Sequence, residues 1–153
     1  MRASVFVAFV LLLTSPISLL GRLMEGATCQ QMFDKADLVI IAKPVSITDT
    51  EEHTGLPGLD AIHVVGINTK FETVLVLKGD KNVKEFVLHH YRLDKRLERL
   101  AIVDGPDFAE FDAHERKAYL LFLIKEADGR YAPASGQVDP AAFSVIKLDG
   151  IVE

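Results

Sequence analysis

One cysteine, Cys29, stands in the whole chain, so no intrachain disulfide framework can form. Tryptophan is absent. Positive charge is in deficit: 17 Lys+Arg against 22 Asp+Glu leave a formal net charge of -5. That balance excludes the basic footprint of a nucleic-acid binder and a polybasic membrane-surface patch. At 153 residues there is room for one domain. Several signatures are missing too. There is no G-x-S-x-G nucleophile turn, no G-x-x-x-x-G-K-[ST] phosphate loop and no H-x-x-x-H pair, and neither Asn68 nor Asn82 has a hydroxyl two places on. Long linkers, repeats and low-complexity runs are likewise absent.

What is present begins with an apolar N-terminus. Hydrophobic residues make up 49% of the chain and the mean hydropathy is +0.21, with much of the excess between Met1 and Leu20. Arg2 supplies a short positive start, Val5–Leu13 is unbroken apolar sequence, Pro16 and Gly21 break helix, and the first acid is Glu25. This is the order of an export signal. Residues 1–28 are therefore expected to be a signal peptide or a retained N-terminal anchor. No clean A-x-A site marks cleavage, and Ala3–Leu20 is about 18 residues, the lower limit for a membrane span. The expected location is secreted, periplasmic or extracellular, with a membrane tether if the anchor is kept. Cys29 follows directly. It is a candidate lipidation site or mature N-terminus, although Gly26 and Thr28 occupy the lipobox positions poorly; otherwise it is a plain thiol.

Residues 29–153 read as mainly β. Leu38–Ala42 is β-branched and apolar, hence a buried strand continuing to Ile47, with Pro44 marking an edge or bulge. Asp49–Asp60, rich in acids with two glycines and a proline, reads as a loop. Ile62–Leu77 alternates and becomes apolar in both phases; a Lys78–Asn82 turn then leads into a strand over Glu85–Tyr91. Asp94–Arg99 is a short helix or a loop, ended by Gly105-Pro106. Ala118–Ile124 is the strongest central strand, and Asp128-Gly129-Arg130 turns into Tyr131–Ala134. Asp139-Pro140 resembles a cap followed by a first-turn proline, so Ala141–Leu148 suits a terminal helix or, by Phe143, Val145 and Ile146, a strand. The sum is about five mostly antiparallel strands with short flanking helices, the pattern of a small partly open barrel or sandwich.

Candidate chemistry is sparse. Five histidines (His53, His63, His89, His90 and His114) invite a metal reading, but His89 and His90 are neighbours in a strand and point to opposite faces. A site would need distant partners, for instance His90 with His114 and Glu115. Cys29 is the only thiol and lies near the N-terminus. Lys95, Arg96 and Arg99 alternate with Asp94 and Glu98 as on an exposed helix face. No catalytic residue, cofactor or metal ligand is assigned.

The run from Gln30 through Ala36-Asp37-Leu38-Val39-Ile40-Ile41-Ala42-Lys43-Pro44-Val45-Ser46 resembles the start of the tissue inhibitors of metalloproteinases. Phe71–Gly79 is similar to that family's second strand with its Lys-Gly turn, and Ala118–Phe122 weakly matches a later segment. The resemblance covers about a third of the chain. It implies an OB-fold, or netrin-like module. In that family an N-terminal cysteine places its amine on a protease zinc, held by disulfides. The corresponding cysteines would fall at Asp34 and near Arg22 and Met24, and none is present. Only processing that leaves Cys29 first would give a comparable N-terminus.

The expectation is therefore an exported, non-catalytic module that binds another protein through loops such as Asp49–Asp60, with Thr50, Glu51, Glu52, His53 and Leu56 as binding-loop candidates, and Leu93–Asp112. The alternatives are an inhibitor of a secreted metalloprotease and a small exported hydrolase. A pocket with convergent polar groups favours the hydrolase.

Overall fold

The structure is a computed structural model and describes residues 27–56, 59–94, 106–115, 117–138 and 140–148. Helix α1 (Cys29–Lys35) leads into strands β1 (Leu38–Leu56), β2 (Leu59–Lys78), β3 (Glu85–Leu93), β4 (Ala118–Lys125) and β5 (Tyr131–Pro133), followed by the short helix α2 (Pro140–Phe143) and strand β6 (Val145–Leu148). The chain is mainly β, as its alternation predicts. The apolar N-terminal run and the Lys95–Arg99 cluster lie outside the described residues.

Strand β4 organises the rest because it is apolar in both phases. Tyr119, Leu121 and Leu123 join Leu38, Ile40, Ala42, Phe71 and Leu88 in one core. Phe122, flanked by Leu120 and Ile124, belongs to a second core with Met32 of α1, Val39 and Ala134. Helix α1 covers that outer layer. Its start is fixed by a capping box in which the Gln31 N–H donates to Thr28 Oγ1 at 3.2 Å and the Thr28 N–H donates to Gln31 Oε1 at 2.7 Å.

The strands pair in the order β1-β2-β3-β5-β4-β6, and β4 also pairs back to β1 from Leu38↔Leu123 to Ala42↔Tyr119. All contacts are antiparallel except Leu88↔Tyr131 between β3 and β5. A bulge sits beside Pro44, as that proline predicts. In the turn after β2, Gly79 has φ +98°, and a Cβ there would lie 2.7 Å from the Asp37 carbonyl.

Two expectations need correction. Among the described residues the strand count is six, because Ala141–Leu148 divides: Pro140–Phe143 is helical and Val145–Leu148 pairs with β4. Asp49–Leu56 and Leu59–Asp60 are strand rather than loop. Strand β1 runs through Thr50, Glu51, Glu52 and His53 to Leu56, which pairs with Leu59 at the start of β2. Acids and glycines there signal exposure, and an exposed ribbon can still satisfy its backbone in a ladder. Strand β3 begins at Glu85, as the sequence predicts, and runs two residues past Tyr91 to Leu93.

Candidate functional site

The β1–β2 ladder breaks register once in a way that matters. Asp49 faces Ile67 and His53 faces Val65, so Thr50, Glu51 and Glu52 together oppose Gly66 alone. Such a bulge re-aims side chains. Thr50 braces it, donating from Oγ1 to the Gly66 carbonyl at 3.0 Å and accepting from the Glu52 N–H at 3.1 Å. Gly66 is the only residue type that fits underneath, because a Cβ would lie 2.5 Å from Thr50 Oγ1.

Glu52 is thereby brought against His89 of β3. The His89 side chain is 6% exposed, and both ring nitrogens face carboxylates. Nε2 lies 3.1 Å from Glu52 Oε2, and Nδ1 lies 3.2 Å from both oxygens of Glu126, which follows β4. The Tyr91 hydroxyl donates to the other Glu52 oxygen. Burial first, then the hydrogen bond and charge of Glu52, push the Tyr91 phenol up from its ordinary range.

The β4–β5 turn closes the cluster from the far side. Arg130 Nε is 2.7 Å from Asp128 Oδ2 and 3.6 Å from Glu126 Oε2, while Nη1 donates to Asn68 Oδ1 of β2 at 2.9 Å. The Arg130 backbone N–H and then its guanidinium hold Asp128 below the usual carboxylate range. Gln137 donates from Nε2 to the His89 carbonyl at 2.9 Å. Glu52 of β1 and Glu126 of the β4–β5 turn thus meet at one imidazole on the outer face of β3.

On the inner face, His90 bonds Thr69 Oγ1 through Nε2 at 2.8 Å. Its buried Nδ1 has no partner of good hydrogen-bond geometry. Burial and the charge of His89 push its pKa down to about 4, against a smaller contribution from the Tyr91 backbone. The His90 ring also lines a cavity of about 440 Å³ with Ile47, Ile67, Arg92, Phe108 and Phe111.

Of the sequence candidates, Glu52 joins the cluster and Thr50 supports it. Glu51 is exposed, and His53 lies 3.9 Å from Asp94. The Leu56 side chain lies outside the described residues. Cys29 is exposed as the first residue of α1. His114 and Glu115 do not join His90, since Glu115 pairs with Lys117 and Lys147. Among the described residues no group of three His, Cys, Asp or Glu is arranged to hold a metal. Tyr91, Glu126 and Arg130 escaped the sequence reading, and His89 entered it only as a metal candidate. Their one signal was the polar phase His89–Tyr91 opposite Leu88–His90.

Chemically the cluster is committed to itself. Both His89 nitrogens are engaged, and a general base needs one free toward substrate. Comparison with protein-family models and with curated proteins finds no match for the chain.

Proposed function

We propose that the chain is an exported, non-catalytic binding module of the OB type that engages another protein through the outer face of β3. One observation carries the reading: the pairing circuit β1–β2–β3–β5–β4–β1, with β3 and β5 parallel. It supports a five-stranded OB barrel extended by β6. OB modules bind ligands over the face of their second and third strands, between the loops joining strands one to two and four to five. Here the β1 bulge and the β4–β5 turn converge on that face at His89. The acidic balance favours a protein partner over a nucleic acid. The apolar run before Cys29 supports export.

The resemblance to metalloproteinase inhibitors supports the OB reading but not the inhibitory device. That device needs a free amine at Cys29, and processing there removes Thr28, which caps α1.

Photo-crosslinking tests this. A photoreactive residue at Glu51 or Asp128 is expected to trap a discrete protein from the native exoproteome, whereas one at Lys147, on β6, is not. Absence of adducts from the β3 face, or turnover of ester or peptide substrates by the purified protein, would reject the reading.

A further inference from the structure

We propose that the cavity on the inner face of β3 binds a small uncharged aromatic carbonyl compound, whose oxygen accepts a hydrogen bond from His90 Nδ1. The site lies across the strand from His89, and the inference stands whether or not the outer face binds a protein.

Exposure sorts the lining into a floor and a rim. The cavity measures about 440 Å³, a size that suits a small molecule. His90 and Ile67 form the floor and are 3% and 5% exposed. Phe108 and Phe111, half-buried, form a wall. Ile47 is 38% exposed and stands at the mouth with Arg92 and Asp49.

The floor holds an unmet donor. Thr69 is fully buried, and among the described residues its hydroxyl has one hydrogen-bond partner, His90 Nε2 at 2.8 Å. A hydroxyl hydrogen needs an acceptor, and a neutral imidazole offers one lone pair and one N–H. With Thr69 donating to Nε2, the hydrogen and the lone pair are both used, and the ring proton falls to Nδ1. The reverse tautomer would bury the Thr69 hydrogen without an acceptor. Nδ1 itself has no partner: the Tyr91 main chain is near but not in bonding geometry. A buried N–H in that state is costly until an acceptor reaches it.

The ligand class follows from the surroundings. An N–H calls for an acceptor, and a neutral one. Arg92 is already paired with Asp49, Glu110 adds a negative charge, and His90 is uncharged above about pH 4. A carboxylate entering here would be buried without a counterion. A carbonyl oxygen avoids that cost, and the phenyl wall favours an aromatic body. The lining holds no Ser, Thr or Cys to attack the carbonyl, so the site binds rather than cleaves. Nδ1 is sealed from water, so the ligand reaches it by nudging aside Phe111, whose ring meets His90 edge-on at 5.1 Å. Phe111 belongs to no helix or strand, and side-chain shifts of this kind are common on binding.

The test is a ¹⁹F-observed titration of the protein in its natural processed form at pH 7. The probes are 4-fluoroacetophenone, 4-fluorocumene, which lacks the acceptor, and 4-fluorobenzoate, which is charged. The ketone is expected to bind saturably, with a dissociation constant below about 1 mM. The benzoate should bind at least about tenfold more weakly. In ¹⁵N-labelled protein the ketone should shift the His90 Nδ1–H proton downfield, and the hydrocarbon should not. His90→Phe combined with Thr69→Val removes both partners of the buried bond together. It should weaken the ketone by about tenfold, as for one lost hydrogen bond, and leave the hydrocarbon unchanged. Ile47→Trp should fill the mouth and block ketone and hydrocarbon alike. The site is overturned if the ketone does not saturate, if benzoate binds as tightly, or if binding survives Ile47→Trp. It is equally overturned if the Nδ1–H signal ignores the ketone or answers the hydrocarbon as strongly, as a water bound at Nδ1 would give. If the double variant does not fold, the Nδ1–H shift in the wild type decides.

Discussion

His89 and His90 are consecutive in β3 and live in opposite chemistries. His89 turns outward between two carboxylates, whereas His90 turns inward, bonded to Thr69 with its second nitrogen buried and unpartnered. The two-residue period of a strand accounts for the split. On the inner face, burial excludes the charged form of His90.

The inner histidine gives the first prediction. The folded pKa of His90 is about 4 against an ordinary 6.5, so between those values the unfolded chain binds the extra proton. Stability is fully present above about pH 6.5 and is lost as pH falls toward 4, by about 3 kcal/mol on this residue's account. Denaturant melts at pH 7 and pH 4 measure the loss. His90→Asn should show a smaller difference between the two pH values than wild type, although it is less stable at pH 7. An unchanged pH dependence would show that His90 is not the group being protonated.

The second prediction concerns Gly66. In Gly66→Ala the new methyl meets Thr50 Oγ1 at 2.5 Å and both Cβ and Oε2 of Glu52 at 3.2 Å. Overpacking of this kind costs about 1–3 kcal/mol. Because the clash lies in the bulge, the damage should be local: Tyr91 should lose its bond to Glu52 and ionise at lower pH than in wild type. A spectrophotometric tyrosine titration reads this. Adding Thr50→Ala, which deletes the clashing oxygen, should recover part of the stability; further loss instead would contradict the assignment.

Much of the fold was legible because burial writes itself into composition. Ala118–Ile124 could only be a strand buried on both faces, and Leu38–Ala42 had to lie beside strands of its own kind. What was illegible depended on pairing. The acids of Asp49–Asp60 signal exposure, which a loop and a ribbon share, so composition could not tell them apart. The cluster at His89 was harder still. Its members come from β1, β2, β3 and the β4–β5 turn, and Glu52 reaches His89 only because a bulge shifts the register by an amount no local pattern encodes.

The two cores should be separable by mutation. Phe71 is fully buried, stacked on Phe86 at 5.3 Å and met edge-on by Phe111 at 5.0 Å. Phe122 lies in the outer layer beneath α1. Phe71→Ala and Phe122→Ala should each cost about 3–5 kcal/mol in chemical denaturation. Thr28→Ala, which removes the cap but no core atom, should cost only about 1 kcal/mol. Because Met32 packs in the same layer as Phe122, helix loss should accompany Phe122→Ala and not Phe71→Ala in far-UV circular dichroism. Equal helix loss in both variants would mean that the layers are not independent.

The last prediction turns on the ribbon formed by the ends of β1 and β2. Were residues 50–59 a passive loop, replacing them with a short Gly/Ser turn would cost about 1 kcal/mol or less, since closure entropy changes slowly with length. They are not passive. The replacement removes Glu52, and with it the acceptor for the buried Tyr91 hydroxyl and for His89 Nε2. Each buried donor left without a partner costs about 1–3 kcal/mol. Glu52 is itself 39% exposed, so water recovers part of the loss. The shortened ribbon should therefore cost about 2–3 kcal/mol, well above the closure term alone. Glu52→Gln, which keeps an acceptor oxygen but removes the charge, should cost less than the replacement. Glu51→Ala, on the exposed side of the same bulge, should change stability by no more than about 0.5 kcal/mol. Urea midpoints of the three variants measure the order. If the ribbon replacement is as mild as Glu51→Ala, the segment is a loop in solution and the His89 cluster does not hold it.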